Sequence, residues 1–386
     1  MRQWIALLTA LSLFLLPVSI RAEAADIPGR SSERNSSLAL LSSLYEGQNT
    51  LVFSPLSLSV ALGMALEGAD GATREQLDAF LGGKAPGGFV LEDLRYSGAE
   101  MANAAFCRPD FTLLPDYADT LIDRFDADAV SMQNGSVMEQ VNDWVNEHTG
   151  GLIDQFLPEE PDPLTKLLLV NALGFKANWA SPFDPVNTGF SVFHAPEGDI
   201  EVSSMRQTST FLYKEAEAYQ SVILPYRNSA LEMVVLLPKD GDIGALIQDI
   251  SNTPDDFIRE HLPEQTARVR LSLPNVHAES SFELKDALQM FGVTDAFSPD
   301  LADFSRMAEN ACDLDLHISS VLQKTILKVN ETGTEAAAAT QVSMAVRGAF
   351  IQEETVEMNV DRPFMMLVHD PASGYVLFAA CINNPA

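Results

Sequence analysis

Basic residues are scarce in this chain. Lys and Arg number 24 against 54 Asp and Glu, a formal charge of −30. A field of that sign repels nucleic acid, anionic lipid and sulfated glycans, so neither nucleic acid nor a membrane surface is expected as a partner. Cysteine is scarcer still. Cys107, Cys312 and Cys381 form an odd, widely spaced set that makes no disulfide framework. Cys107 and Cys381 fall in apolar runs, "NAAFCRP" and "VLFAACIN", and read as buried free thiols. The histidines, His148, His194, His261, His277, His317 and His369, include no pair at metal-ligand spacing. H-E-x-x-H, G-x-S-x-G and the phosphate-binding Gly-rich loop are all missing. No metal and no cofactor are therefore expected, and the chain does not read as an enzyme.

One long apolar run is present, and only one. The chain opens "MRQWIALLTALSLFLLPVSIRAEAAD": Arg2 supplies a positive start, Trp4 to Ile20 an apolar stretch, and Ala22-Glu23-Ala24 a small-residue cleavage site. That pattern is a signal peptide over residues 1–24, cut near Ala24, which implies secretion to an extracellular or periplasmic space. Losing Arg2, Arg21 and Glu23 with it takes the charge to −31. No later run is long enough to span a bilayer. Residues 25–35, "ADIPGRSSERN", are polar and broken by Gly and Pro, as in a tail or linker. No repeat, low-complexity block or Pro/Ser-rich seam divides residues 36–386, so they are expected to form a single domain.

The texture changes along that domain. "SLALLSSLYEG", "LSLSVALGMALEGA" (opened by Ser54-Pro55), "ATREQLDAFLG", "YADTLIDRFD" and "VMEQVNDWVNEHTGGLIDQFL" carry helical spacing, the last passing through a Gly-Gly break. "KLLLVNALGFKANW", "SVILPYR", "LEMVVLLPK", "ARVRLSLPNV" and "GYVLFAACIN" are short apolar or alternating runs of the strand kind, with one late helix in "FELKDALQMFG". A helical first half and a strand-rich second half argue for an α+β fold.

One stretch carries two local codes. In "KVNETGTEAAAATQVSMAVRGAF", Thr332 and Glu335 have capping-box spacing and four alanines follow, which reads as a helix start. Split by parity from Thr334, one set is Thr334, Ala336, Ala338, Thr340, Val342 and Met344, and the other is Glu335, Ala337, Ala339, Gln341, Ser343 and Ala345. The first is small to apolar and uncharged, the second small to polar, which is the alternation of a strand with one buried face. No Pro interrupts the tract. A segment that is exposed at first and enters a sheet later has these properties. Arg347 follows, and an exposed arginine suits the acidic specificity pocket of a trypsin-like protease.

These residues resemble the serpins, the serine-protease-inhibitor family. "NETGTEAAAAT" is similar to the family's hinge and the start of its reactive-centre loop. "LVFSPLSLSVALGMALEGADGATREQL", "VNDWVNEHTGGLI", "LVNALGFKANWASPFDP", "FELKDALQMFGVTDAFSPDLADFSRM" and "DRPFMMLVHDPASGYVLFAACINNP" resemble further family blocks, in family order, from Ser36 to Pro385. The resemblance implies one α+β domain of three β-sheets and about nine helices, acting as an inhibitor and not as a catalyst. In the family a protease acylates itself on the exposed loop, which then inserts into the central sheet and traps the acyl-enzyme.

Carried onto this chain, the hinge comprises Glu331, Gly333, Thr334, Glu335, Ala336, Ala337, Ala338, Ala339 and Thr340, with Thr334 the first residue to insert. Counting the usual loop length from Glu331 puts the scissile bond at Arg347–Gly348, with Val346 and Met344 as alternatives because the segment to Arg362-Pro363 is long. Ser54, Ser57 and Asn171 fall on the shutter, and Trp179 on the breach. Gln323 stands where many members have a shutter histidine; an amide still hydrogen-bonds there but is no pH switch. Asn275 stands where many have a lysine paired to the hinge glutamate, so that ion pair is lost.

The resemblance thus implies a monomeric inhibitor of trypsin-like proteases. Inhibition of a papain-like cysteine protease and a non-inhibitory role are its alternatives. Near "GGKAPGGFVLEDLRYSG", Lys84 and Arg95 face Glu92, Asp93 and Glu100, so no heparin dependence is expected. Sequons occur at Asn35, Asn134 and Asn330. A glycan at Asn330 would hang at the point of insertion, which points to a non-glycosylating, bacterial host.

Overall fold

The computed structural model describes residues 36–334 and 354–386, apart from 84, 88–90, 92–93, 95–96, 110–112, 164, 310 and 312–314. Residues from Arg34 onward form one compact unit. Eight α-helices and sixteen strands lie among the described residues, so the α+β expectation holds. No described helix is long and apolar enough to cross a membrane.

After a one-turn helix α1 (Leu41–Leu44) and strand β1 (Leu51–Phe53), helix α2 (Pro55–Gly68) begins where Ser54-Pro55 indicates. The Ser54 hydroxyl accepts from Ser57 N at 3.1 Å, and Pro55 occupies the first turn, where its missing N–H costs nothing. Every residue of α2 except Glu67 is buried, because the helix is apolar on all sides and runs through the core. Helices α3 (Gly71–Leu81) and α4 (Pro115–Phe125) cover it. Helix α5 (Val137–His148) ends at the Gly150-Gly151 pair instead of passing through it, since both glycines are in the left-handed region. Later in the chain come α6 (Gly244–Asn252), α7 (Pro254–His261) and α8 (Lys285–Met290).

The first half also holds two strands that its texture does not announce. β2 (Ala99–Cys107) and β3 (Ala127–Ser131) pair in parallel, and β2 pairs antiparallel with all nine residues of β4 (Leu167–Phe175). The alanines of β2 have helical propensity. Burial between the main core and α5 overrides it.

The central sheet has seven strands. Beyond β4 come β12 (Val321–Val329), β13 (Gly333–Thr334) and β5 (Ala177–Asn178), with β11 (Val276–Glu283) on the far side of β12. Val141 and Val145 of α5, one turn apart, close a second small core over this sheet with Phe106, Leu168 and Val170.

The second sheet has nine strands, in the order β1, β16 (Val376–Ile382), β15 (Phe364–His369), β9 (Glu232–Pro238), β8 (Tyr219–Pro225), β7 (Gly198–Glu215), β10 (Gln265–Pro274) and β14 (Thr355–Asn359). Strand β6 (Gly189–Ala195) also pairs with β7. The 18-residue β7 meets β6 at its start, β10 along its middle and β8 at its end. It thereby fuses two of the three expected sheets into one continuous ladder.

Candidate functional site

The site is a seam in the central sheet. β4 and β12 pair in parallel from Leu169↔Val321 to Leu173↔Thr325. Above Thr325 that pairing ends, and β13 stands between β12 and β5, the short strand that follows β4 in the chain. Thr334 is opposite Val329 on one side and Ala177 on the other, and Gly333 is opposite Asn178. The sheet is closed below and wedged open above by two residues.

The wedge is tightly made. The chain reverses at Asn330, whose Oδ1 accepts from Thr332 Oγ1 (2.7 Å), Thr332 N (3.0 Å) and Gly333 N (3.3 Å). This overturns the capping-box reading. Thr332 donates its hydroxyl backward to Asn330 and precedes a strand, so it caps no helix. At Gly333 a Cβ would lie 2.0 Å from the Ala177 carbonyl oxygen, so only glycine allows the approach. Trp179 is 1% exposed and donates Nε1–H to Asn330 O and its backbone N–H to Thr332 O, each at 2.9 Å. Its ring stacks on Tyr226 at 4.7 Å, and the Tyr226 hydroxyl shares a 2.7 Å hydrogen bond with Thr334 Oγ1. Burial pushes the Tyr226 hydroxyl well above its ordinary range, so it keeps its proton and can donate. Thr334 is itself 1% exposed.

Glu331 flanks the wedge. Its Oε1 accepts from Thr188 Oγ1 at 2.7 Å and from Asn275 Nδ2 at 3.4 Å, and Phe183 N donates to its carbonyl at 2.9 Å. Among the described residues it forms no ion pair. A weak amide hydrogen bond from Asn275 stands where a lysine would give one.

The closed part of the seam is fastened from behind. Gln323 on β12 accepts from Ser54 N and donates Nε2–H to Ser54 O, both at 2.9 Å, clamping the strand to the first turn of α2. Asn171, across from Gln323 on β4, donates to Asn103 Oδ1, and Asn103 Nδ2 donates to Phe125 O at 2.9 Å. Asn171 Oδ1 is buried without a partner among the described residues and lines a small cavity with Ser57, Leu284 and Gln323.

The structure thus gathers Ser54, Ser57, Asn171 and Gln323 at one point of the seam, and Trp179, Glu331, Gly333 and Thr334 at the other. Glu335 to Thr340, Met344, Val346, Arg347 and Gly348 lie outside the described residues. Sequence reasoning missed Tyr226, Thr188 and Asn103. Tyr226 and Thr188 sit in loops with no spacing signal. Asn103 could have been found as the one strongly polar side chain inside "MANAAFC", since a polar residue buried in an apolar run requires a partner. Elsewhere, Cys107 and Cys381 are free and buried, and no cluster of three metal-ligating side chains occurs among the described residues.

Comparison with known proteins matches residues 31–385 to the family model described as serpin, serine protease inhibitor. A serpin-like protein of Thermococcus kodakarensis is 32% identical over 370 residues, covering 90% of this chain and 83% of the relative. Serpin-Z1C of Triticum aestivum is 34% identical over 359 residues, covering 86% and 89%. Among solved structures, an Arabidopsis serpin in its native stressed conformation superposes with a TM-score of 0.80 at 26% identity, covering 92% of this chain and 97% of that one. The thermophilic serpin tengpin in its native state gives 0.77 at 27% identity, covering 91% and 92%. With the sheet parted at one end around a hinge, and with this agreement along nearly its whole length, the chain belongs to the serpin family.

Proposed function

We propose that the protein is a secreted suicide inhibitor of trypsin-like serine proteases, working by insertion of its cleaved loop into the central sheet. The observation that carries the reading is the register of the wedge. Continuing Thr334↔Ala177 and Thr334↔Val329 downward sets Ala338 between Leu173 and Thr325, Thr340 between Asn171 and Gln323, and Val342 between Leu169 and Val321. Each of those flanking pairs is already a β4–β12 pair. A new strand therefore enters without any change of register between its neighbours, which need only part sideways by about one strand spacing. The entering residues that share the face of buried Thr334 are Ala336, Ala338, Thr340, Val342 and Met344, which are small or apolar and bring no charge into the core. Thr340 brings a hydroxyl to the level of the unpartnered Asn171 Oδ1.

The reaction is ordinary acyl transfer interrupted. The protease serine attacks the carbonyl of Arg347, the bond to Gly348 breaks and its amine leaves, and the ester to the protease persists while the loop inserts. The inhibitor is consumed in the act. Secretion follows cleavage near Ala24, and the inhibitor acts as a monomer without heparin. Mixing the mature protein with trypsin and running a denaturing gel tests the reading. A covalent band at the summed mass and a released fragment beginning at Gly348 are expected. Clean cleavage with no covalent band would make the protein a substrate and reject the proposal.

A further inference from the structure

Three side-chain amides stand in a row on the core face of the central sheet. Asn103 of β2 is opposite Asn171 of β4, and Asn171 is opposite Gln323 of β12. They are 3%, 3% and 4% exposed. Amides buried this deeply need partners, and the row supplies them at every step but one. Asn103 Nδ2 is committed to Phe125 O, so its Oδ1 faces Asn171 and accepts from Asn171 Nδ2. That fixes the Asn171 amide, whose Oδ1 turns away from Asn103. Gln323 is fixed by Ser54. A backbone N–H can only donate, so Gln323 Oε1 accepts from it and one hydrogen of Nε2 goes to Ser54 O.

The break lies between Asn171 and Gln323, across the seam itself. Asn171 Oδ1 has no partner among the described residues. It lines a cavity of about 10 Å³ whose walls include Ser57, Leu284, Val321 and Gln323. That is room for one water-sized sphere. Among the described residues no carboxylate lines the cavity, so a metal cation is a poor occupant, and an anion would meet the Asn171 oxygen. The wall residues offer an acceptor in Asn171 Oδ1, a donor in the second hydrogen of Gln323 Nε2 and, in the Ser57 hydroxyl, a group that does either. Buried waters are held by two to four partners of this kind.

We propose that this cavity is a binding site for one water molecule, which joins Asn171 to Gln323 and Ser57 and latches the closed part of the seam. The water donates to Asn171 Oδ1, accepts from Gln323 Nε2 and shares a hydrogen bond with Ser57 Oγ. It completes the row across β2, β4 and β12. Gln323 ties β12 to α2 directly, through Ser54. The water ties β4 to the same first turn of α2, through Ser57. A strand entering between Asn171 and Gln323 must expel it, so the latch contributes to the barrier against insertion. That consequence rests on the inhibitor reading above; the water site does not.

The test joins a crystal structure of the intact mature protein, at a resolution that shows buried waters, to hydrogen exchange in solution. One peak of water density is expected within hydrogen-bond reach of Asn171 Oδ1, Gln323 Nε2 and Ser57 Oγ. An empty cavity, or Asn171 Oδ1 bonded directly to a protein donor, overturns the inference whatever the variant does. Ser57→Ala removes one partner of the water. The amides that join β4 to β12 should then exchange about fivefold faster, as expected for the loss of one hydrogen bond. The amides that join β8 to β9, in the other sheet, should keep their rates. Unchanged exchange at the seam overturns the latch, and so does an equal acceleration in both sheets, which would mean that Ser57 acts on the whole fold. Neither readout involves a protease, so failure here leaves the inhibitor reading standing, and failure to trap trypsin leaves the water site standing.

Discussion

Replacing Thr334 by arginine tests the wedge at one atom. In the native state this side chain is 1% exposed and packs beside the stacked pair Trp179 and Tyr226, and among the described residues no carboxylate is bonded to it or to Tyr226. An arginine there is a buried charge without a partner, which costs several kcal/mol, and Tyr226 loses its acceptor at a further ~1–3 kcal/mol. Because Thr334 already sits in the sheet, the penalty falls on the native wedge as well as on the inserted product. The cheapest escape is to expel Gly333 and Thr334 altogether. Insertion must then start from a closed sheet and carry the charge in. If that raises the barrier by ~3 kcal/mol, insertion slows roughly 100-fold while hydrolysis of the acyl-enzyme proceeds at its own rate. The expected result is a substrate, cut at Arg347 with little covalent complex and a stoichiometry of inhibition far above one. Thr334→Val, which leaves Tyr226 unpartnered but adds no charge, should fall between the two. Glu335→Arg, on the opposite parity, should remain a fair inhibitor. Equal trapping of trypsin by Thr334→Arg and Glu335→Arg would refute the parity assignment and the insertion argument built on it.

The same geometry fixes three other outcomes. Gln323→Leu strands the buried N–H of Ser54 and leaves its C=O with Leu58 N as its remaining donor; it should lower stability by ~1–3 kcal/mol in denaturant melts, and a change under ~0.5 kcal/mol would show that the clamp is idle. Asn275→Lys places a cation beside the Glu331 carboxylate, which forms no ion pair among the described residues; it should raise the melting temperature by about 1–2 °C at low salt and less at high salt, and a fall at low salt would contradict the pairing. Burial pushes the Cys107 thiol up to about 12 and Cys381 higher still; the nucleophilic thiolates are therefore absent up to pH 9, and mass spectrometry of alkylated native protein should find both unmodified until denaturant is added.

The parts of the fold legible in the sequence are those decided by near neighbours. Ser54-Pro55 marks the start of α2 because a cap and a first-turn proline act within three residues. The apolar runs of β4, β9 and β16 read as strands because those strands are buried along their length, Glu232 at the start of β9 excepted. Local rules fail where tertiary contacts outvote them. The alanines of β2 form a strand under α5, and the Thr332–Glu335 spacing gives way to the turn made by Asn330. The site divides in the same manner. Gly333 and Thr334 are visible as a hinge, but the Tyr226 hydroxyl that holds Thr334 is 108 residues away in sequence, and no local pattern reports such a contact. The sequence marks Gln323 as able to bond, and the structure supplies its partner, the backbone of Ser54.

The melting temperature before and after cleavage of the loop tests the central claim most directly. Insertion of roughly ten residues adds a strand between β4 and β12, with each ladder hydrogen bond worth ~1 kcal/mol net and further gain from burying Val342 and Met344. Cleavage in the loop by a protease that escapes trapping should therefore raise the melting temperature by tens of degrees, although a peptide bond has been broken. A cleaved protein that melts at or below the temperature of the intact one would show that the loop stays out of the sheet, and would contradict the account.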